Sequence, residues 1–135
     1  MKSMSRLLGF LMVVGAVGCA GPEIPEVVTG EWGGERLGLV ASTTGAELEY
    51  DCALGRIADA IRPGGSGRFS AVGTHFPGQG GPIRIDEMKP GRPARYDGTV
   101  RGDKMTITVT LTDSSEVLGT FMLVRGASPR VFKCL

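Results

Sequence analysis

The sequence predicts an all-β domain: an antiparallel meander of about eight short strands, closed as an up-and-down barrel or folded as a small β-sandwich. Two observations carry this. Residues Lys104–Thr112 alternate strictly, with Met105, Ile107, Val109 and Leu111 on one face and Thr106, Thr108, Thr110 and Thr112 on the other. That period of two, rich in β-branched residues, marks a half-buried strand. Elsewhere in the chain no helical period is sustained, and short polar or Gly/Pro stretches interrupt the apolar segments at strand-like intervals. One-sided alternation favours a curled sheet with a single inner face.

The elements follow in order. Glu31–Ser42 reads as a first strand, with a bulge at Gly33-Gly34. Glu47–Cys52 places Leu48, Tyr50 and Cys52 on the apolar face and Glu47, Glu49 and Asp51 on the solvated one. Arg56–Ile61, Arg68–Phe76, Ala94–Arg101, Leu118–Arg125 and Arg130–Cys134 complete the set. Thr44-Gly45, Pro63–Gly67, Gly102-Asp103, Asp113–Glu116 and Gly126–Pro129 supply turns. Pro77–Pro93 contains four prolines and four glycines, which bars a regular strand throughout. It reads as a surface insertion, with a binding loop as the alternative. The expected inner face comprises Trp32, Leu48, Tyr50, Phe69, Tyr96, Met105, Ile107, Phe121 and Phe132, filling the barrel or lining a small cavity.

The N-terminus says where the chain goes. Lys2 and Arg6 precede an uncharged apolar run, Leu7–Val17, too short to span a bilayer, which takes about 20 residues. With the small residues before Gly18-Cys19, this resembles a bacterial lipoprotein signal. The resemblance implies cleavage before Cys19 and lipidation of that cysteine. Gly18-Cys19-Ala20 also has the small-x-small form of an ordinary signal peptidase site, so cleavage after Ala20 is the alternative. Both routes export the protein. The chain then divides into a signal (1–18), a lipidated cysteine with a Pro- and Glu-containing tether (19–29), and one β domain (30–135).

Cys52 and Cys134 remain in the folded part. An even pair in an exported domain reads as a disulfide, with metal-binding thiolates as the other reading. The bond would close a loop of about 80 residues, for which chain entropy suggests roughly 4 kcal/mol. The formal charge is +1, and removal of Lys2 and Arg6 takes it to −1, so no basic excess attracts nucleic acid.

Gly30-Glu31-Trp32 is similar to the G-x-W signature that opens calycin barrels. In those families a late-strand cation crosses the tryptophan, and Arg125, or second Arg130, is the matching residue. The blocks GEWGGERLGL, AELEYDCALGRI, ARYDGTVRGDKMTITVTLTD and GTFMLVRGASPRVFKCL resemble a set of small bacterial secreted proteins and lipoproteins. That resemblance implies export and Cys52–Cys134 pairing, and carries no activity.

Chemistry is sparse. His75 is the sole histidine and reads as a surface or rim residue. No serine sits in a nucleophile elbow. Glu47, Glu49 and Asp51 fit a solvated face better than a hydrolase pair. Asp86-Glu87 lacks calcium-loop spacing, and Gly78-Gln79-Gly80-Gly81 lacks Walker spacing. No catalytic residue, metal site or cofactor is expected. The expected function is a non-enzymatic binding or structural protein of the envelope, anchored to the membrane through Cys19. Its partner would be an envelope protein or a small apolar ligand. The alternative is an exported protease inhibitor that uses a free N-terminal segment.

Overall fold

Alternation determines the architecture. The structure, a computed structural model, describes residues 23–78 and 90–132. The signal, Cys19, Cys134 and positions 79–89 of the long loop lie outside the described residues. The strands are β1 (Gly30–Gly34), β2 (Leu37–Ser42), β3 (Gly45–Tyr50), β4 (Ala53–Ile57), β5 (Arg68–Pro77), β6 (Arg92–Arg101), β7 (Lys104–Leu111) and β8 (Glu116–Arg125). Each pairs antiparallel with the next. The pairs Trp32↔Arg125, Gly33↔Val124 and Gly34↔Leu123 join β1 to β8 and close the barrel. No described residue is helical. Closure leaves no open sheet edge to template aggregation.

The inner face is largely filled. Met105, Ile107, Val109 and Leu111 of β7 meet Trp32, Leu39, Leu48, Tyr96 and Leu123 in one buried cluster. Chain direction defines two ends. The first gathers the start of β1, the turns at Thr43-Thr44 and Gly102-Asp103, and the 58–67 connection. Val28 and Ile61, both buried, plug it, joined by the Val28 N–H donating to the Ile61 carbonyl at 2.9 Å. The opposite end carries the turns at Glu35-Arg36, Asp51-Cys52 and Thr112–Ser115.

Several sequence expectations are corrected. Glu31–Ser42 is a hairpin rather than one bulged strand. It reverses at Glu35-Arg36, with Arg36 in the left-handed region (φ 72°). Its glycines serve close approach instead: a Cβ on Gly33 would lie 2.1 Å from the Ala127 carbonyl oxygen. The bulge-like register shift falls at Val109/Thr110 against β8. The β2–β3 turn is Thr43-Thr44 rather than Thr44-Gly45. The fourth strand is Ala53–Ile57, which leaves Ile61 to the plug. Cys52 is exposed, because β3 ends at Tyr50 and Cys52 occupies a left-handed turn position (φ 55°).

The tether also changes character. From Glu23 on it packs against the barrel, through Val28 and through the Gly102 N–H donating to the Glu23 carbonyl at 2.8 Å. In place of a strand at Arg130–Cys134, the described part makes a single parallel bridge, Glu35↔Arg130. Phe132 is 72% exposed rather than inside. Residues 126–132 instead run back along the outside of β1. Phe132 clasps the β3–β4 turn: its N–H donates to Asp51 Oδ1 (3.0 Å) and its carbonyl accepts from the Cys52 N–H (3.0 Å).

Candidate functional site

Period two in β3, β5 and β6 turns Tyr50, His75 and Tyr96 into the barrel. Bulky rings can converge there because the positions between them are small. A Cβ on Gly55 would meet the Tyr96 hydroxyl at 2.5 Å, and one on Gly73 would meet Tyr96 Cε2 at 2.7 Å. The three rings form the polar cluster of an otherwise apolar interior. The Tyr50 hydroxyl lies 2.6 Å from His75 Nδ1 and 3.3 Å from the Tyr96 hydroxyl. Tyr96 donates to the Thr74 carbonyl at 3.3 Å. The Tyr50 and His75 rings stack, with centroids 5.4 Å apart and planes 12° apart.

Burial favours the neutral forms of both groups. Burial, and then the Arg92 charge, push the His75 imidazolium below its ordinary range, against a smaller opposing effect of Glu116. Burial raises both tyrosines above the usual phenol value, Tyr50 strongly. Neutral imidazole therefore faces neutral phenol. The phenol is the stronger acid and Nδ1 the better acceptor, at 2.6 Å against 3.4 Å for the Leu54 carbonyl, so the pair is assigned with Tyr50 donating to Nδ1 and the ring proton on Nε2.

Tyr50 and His75 floor a cavity of about 270 Å³ at the barrel mouth, with Tyr96 buried behind them. Arg36, Asp51, Cys52, Ala53, Pro77, Gly78, Leu118 and Phe121 supply its rim and walls. Arg36 Nε and Asp51 Oδ2, 2.5 Å apart, tie two turns of this end together. The Phe132 N–H and then Arg36 hold the Asp51 carboxyl below its normal range. A second hollow, of about 390 Å³, lies among Glu31, Val40, Glu47, Leu54 and Pro129 on the outside. It has no comparable convergence of buried polar groups, which is what distinguishes a small-molecule site.

His75 also gives a pH dependence. Its folded-state pKa lies below the unfolded value, so the unfolded chain binds the proton more readily. Stability from this group is complete above about pH 6.5 and is lost as pH falls through that value towards the folded-state pKa. Asp51, Asp97 and Asp113 are held low, so their contributions disappear only at more acid pH. Urea midpoints should therefore fall between about pH 7.5 and 5.5. His75→Gln, less stable overall, should lack that slope. An equal slope in the variant would assign the linkage elsewhere.

The G-x-W region forms the opposite, plugged end. Trp32 is 1% exposed, and its Nε1–H donates to the Thr29 carbonyl at 3.0 Å. The Arg125 guanidinium carbon stands 4.5 Å from the indole centroid. Its Nη1 donates to the same carbonyl at 3.2 Å, and its Nε reaches Asp103 Oδ1 at 3.3 Å. Gly30 sits at φ 93°, with Arg125 Nη1 3.6 Å from where a Cβ would be. Arg130, the second candidate, lies 3.9 Å from Glu35 on the outer surface.

His75 is thus corrected from a surface or rim residue to one 7% exposed in the interior. The sequence held the signal: His75 shares parity with Phe69, Ala71 and Gly73 along β5. Glu47 and Glu49 are exposed on β3, while Asp51 has left the strand for the turn. The Cys52 thiol is not free. Among the described residues no three His, Cys, Asp or Glu side chains come together as a metal cage. No family model, curated protein or solved structure matches the chain.

Proposed function

We propose that this chain is a non-enzymatic binding protein of the bacterial cell envelope. It is exported, lipidated on Cys19, and receives a small molecule at the barrel mouth. The observation that carries the binding role is the cavity floored by Tyr50 and His75, at the end opposite the Val28–Ile61 plug. The signal-like layout up to Gly18-Cys19 supports export and anchoring. A Cys52–Cys134 disulfide belongs to the same reading. The Cys52 thiol is engaged, and the Phe132 clasp brings position 132 to Cys52, two residues before Cys134. The inhibitor alternative needs a free N-terminal segment, and the packing of Val28 and Glu23 against the barrel counts against it.

Fractionation and intact mass test the localisation. Wild-type chain should pellet with membranes and carry a diacylglyceryl mass on Cys19, with no thiol reacting before reduction. Cys19→Ala should move to the soluble fraction. A wild-type mature chain beginning at Gly21 defeats the anchor, and a reactive thiol at Cys52 or Cys134 defeats the disulfide.

A further inference from the structure

The chemistry of the mouth narrows what it can hold. No buried side-chain nitrogen or oxygen among the described residues lacks a partner. His75 spends Nδ1 on Tyr50, and no described residue accepts from Nε2. Nε2 is therefore not sealed in the core. His75 lines the cavity and Nδ1 is engaged, so Nε2 is the ring nitrogen left to meet a ligand there. With Tyr50 assigned as the donor to Nδ1, Nε2 carries the ring proton and is a donor rather than an acceptor. The neighbouring wall is apolar: Ala53, Pro77, Leu118 and Phe121.

Among the described residues, the cations around the mouth are already matched. Arg36 is paired with Asp51. Arg92 holds Asp113 in a two-pronged pair, at 2.8 and 3.1 Å. Glu116 is the remaining charge that acts on His75, and it opposes an anion. Tyr50 faces the imidazole as a neutral phenol, with Tyr96 bonded to it from behind. An anionic ligand would find no unmatched cation among these groups, and a cationic one would meet a ring donor. A volume of about 270 Å³ lies at the small end for ligand sites and suits about ten heavy atoms.

Resting on the binding-protein reading above, we infer that the mouth takes a small, uncharged, mainly apolar molecule with one acceptor oxygen, a ketone or similar carbonyl, bonded to His75 Nε2–H. Leu118 and Phe121 cover its apolar body. Tyr50 is a positioning residue that acts through the histidine tautomer.

Because His75 is the only histidine, its ring nitrogens give unambiguous NMR signals. The ¹⁵N-labelled mature chain is titrated with acetophenone, ethylbenzene and benzoate, which share size but differ in acceptor and charge. Acetophenone should shift Nε2 and the amides of Ala53, Leu118 and Phe121. Loss of one hydrogen bond should weaken ethylbenzene about fivefold. Burial of an unmatched charge should weaken benzoate more, about tenfold or beyond. Tyr50→Phe should release the tautomer, seen in the ¹⁵N shifts, and erase the acetophenone preference while ethylbenzene binding persists. Equal affinity for all three at the mouth, or tighter benzoate, overturns the ligand class and leaves the binding-protein reading standing. Failure of every probe to move the mouth amides overturns the inference and removes the binding role with it, while fractionation scores the anchor separately.

Discussion

Replacing Trp32 by alanine is expected to destabilise the barrel by about 3–5 kcal/mol, the range for truncating a fully buried large aromatic. Three features put this position at the top of that range. The indole is 1% exposed within the main core cluster. It sits on β1 opposite Arg125, at the seam where the last strand closes on the first. Its N–H and the Arg125 guanidinium converge on one acceptor, the Thr29 carbonyl, which fixes the N-terminal segment across the plugged end. Truncation loses burial and the stacked cation together, and leaves the segment holding Val28 without one of its two side-chain tethers. Urea unfolding of Trp32→Ala, Arg125→Met and the double variant separates these effects. The cation–π share should emerge as a coupling of about 1 kcal/mol, since Arg125 is partly exposed. A total loss under about 1.5 kcal/mol, well below that range, would mean that the Trp32 environment is not as closely packed as described.

Much of this architecture was legible because it depends on parity. β7, with apolar side chains at every second position, and the strands around β5, β6 and β8 were readable within a residue or two. So was the placement of a late-strand cation, Arg125, over Trp32. What parity could not reveal was chain reversal without a glycine signal. Arg36 and Cys52 adopt left-handed turn conformations at Glu35-Arg36 and Asp51-Cys52. Long-range contacts hold both turns: Arg36 N–H donates to the Arg130 carbonyl at 2.7 Å, and the Phe132 clasp grips the second. No local pattern encodes a turn stabilised from about 80 or more residues away, and tertiary context overrides propensity there. The mouth was missed for a different reason. Tyr50 and Tyr96 were legible as core residues and His75 only as a surface or rim residue. Histidine is intermediate in its burial preference, and only the pairing of three strands shows it a phenol partner.

The glycines of β1 lead to the second large effect. Gly34→Ala should cost about 3 kcal/mol, the upper end of ordinary overpacking. An added Cβ would lie 2.0 Å from the Met122 carbonyl oxygen and 3.1 Å from Leu123 Cδ2, both on β8. A flexible side chain can step aside from such a contact, but a strand backbone held by the Gly34↔Leu123 and Thr106↔Met122 pairings cannot. The relief available is to part β1 from β8, and that opens the barrel at its closing seam. Parted strands would expose unpaired backbone edges, so the variant should also aggregate more readily. Gly65→Ala is the matched control. Nothing lies within 4 Å of its added Cβ, so it should stay within about 0.5 kcal/mol of wild type. Comparable losses in both variants would point to a general cost of removing glycine. A loss confined to Gly34→Ala, with faster exchange of the Leu123 and Val124 amides, would locate the weakness at the β1–β8 seam, where the register of Trp32 against Arg125 is also set.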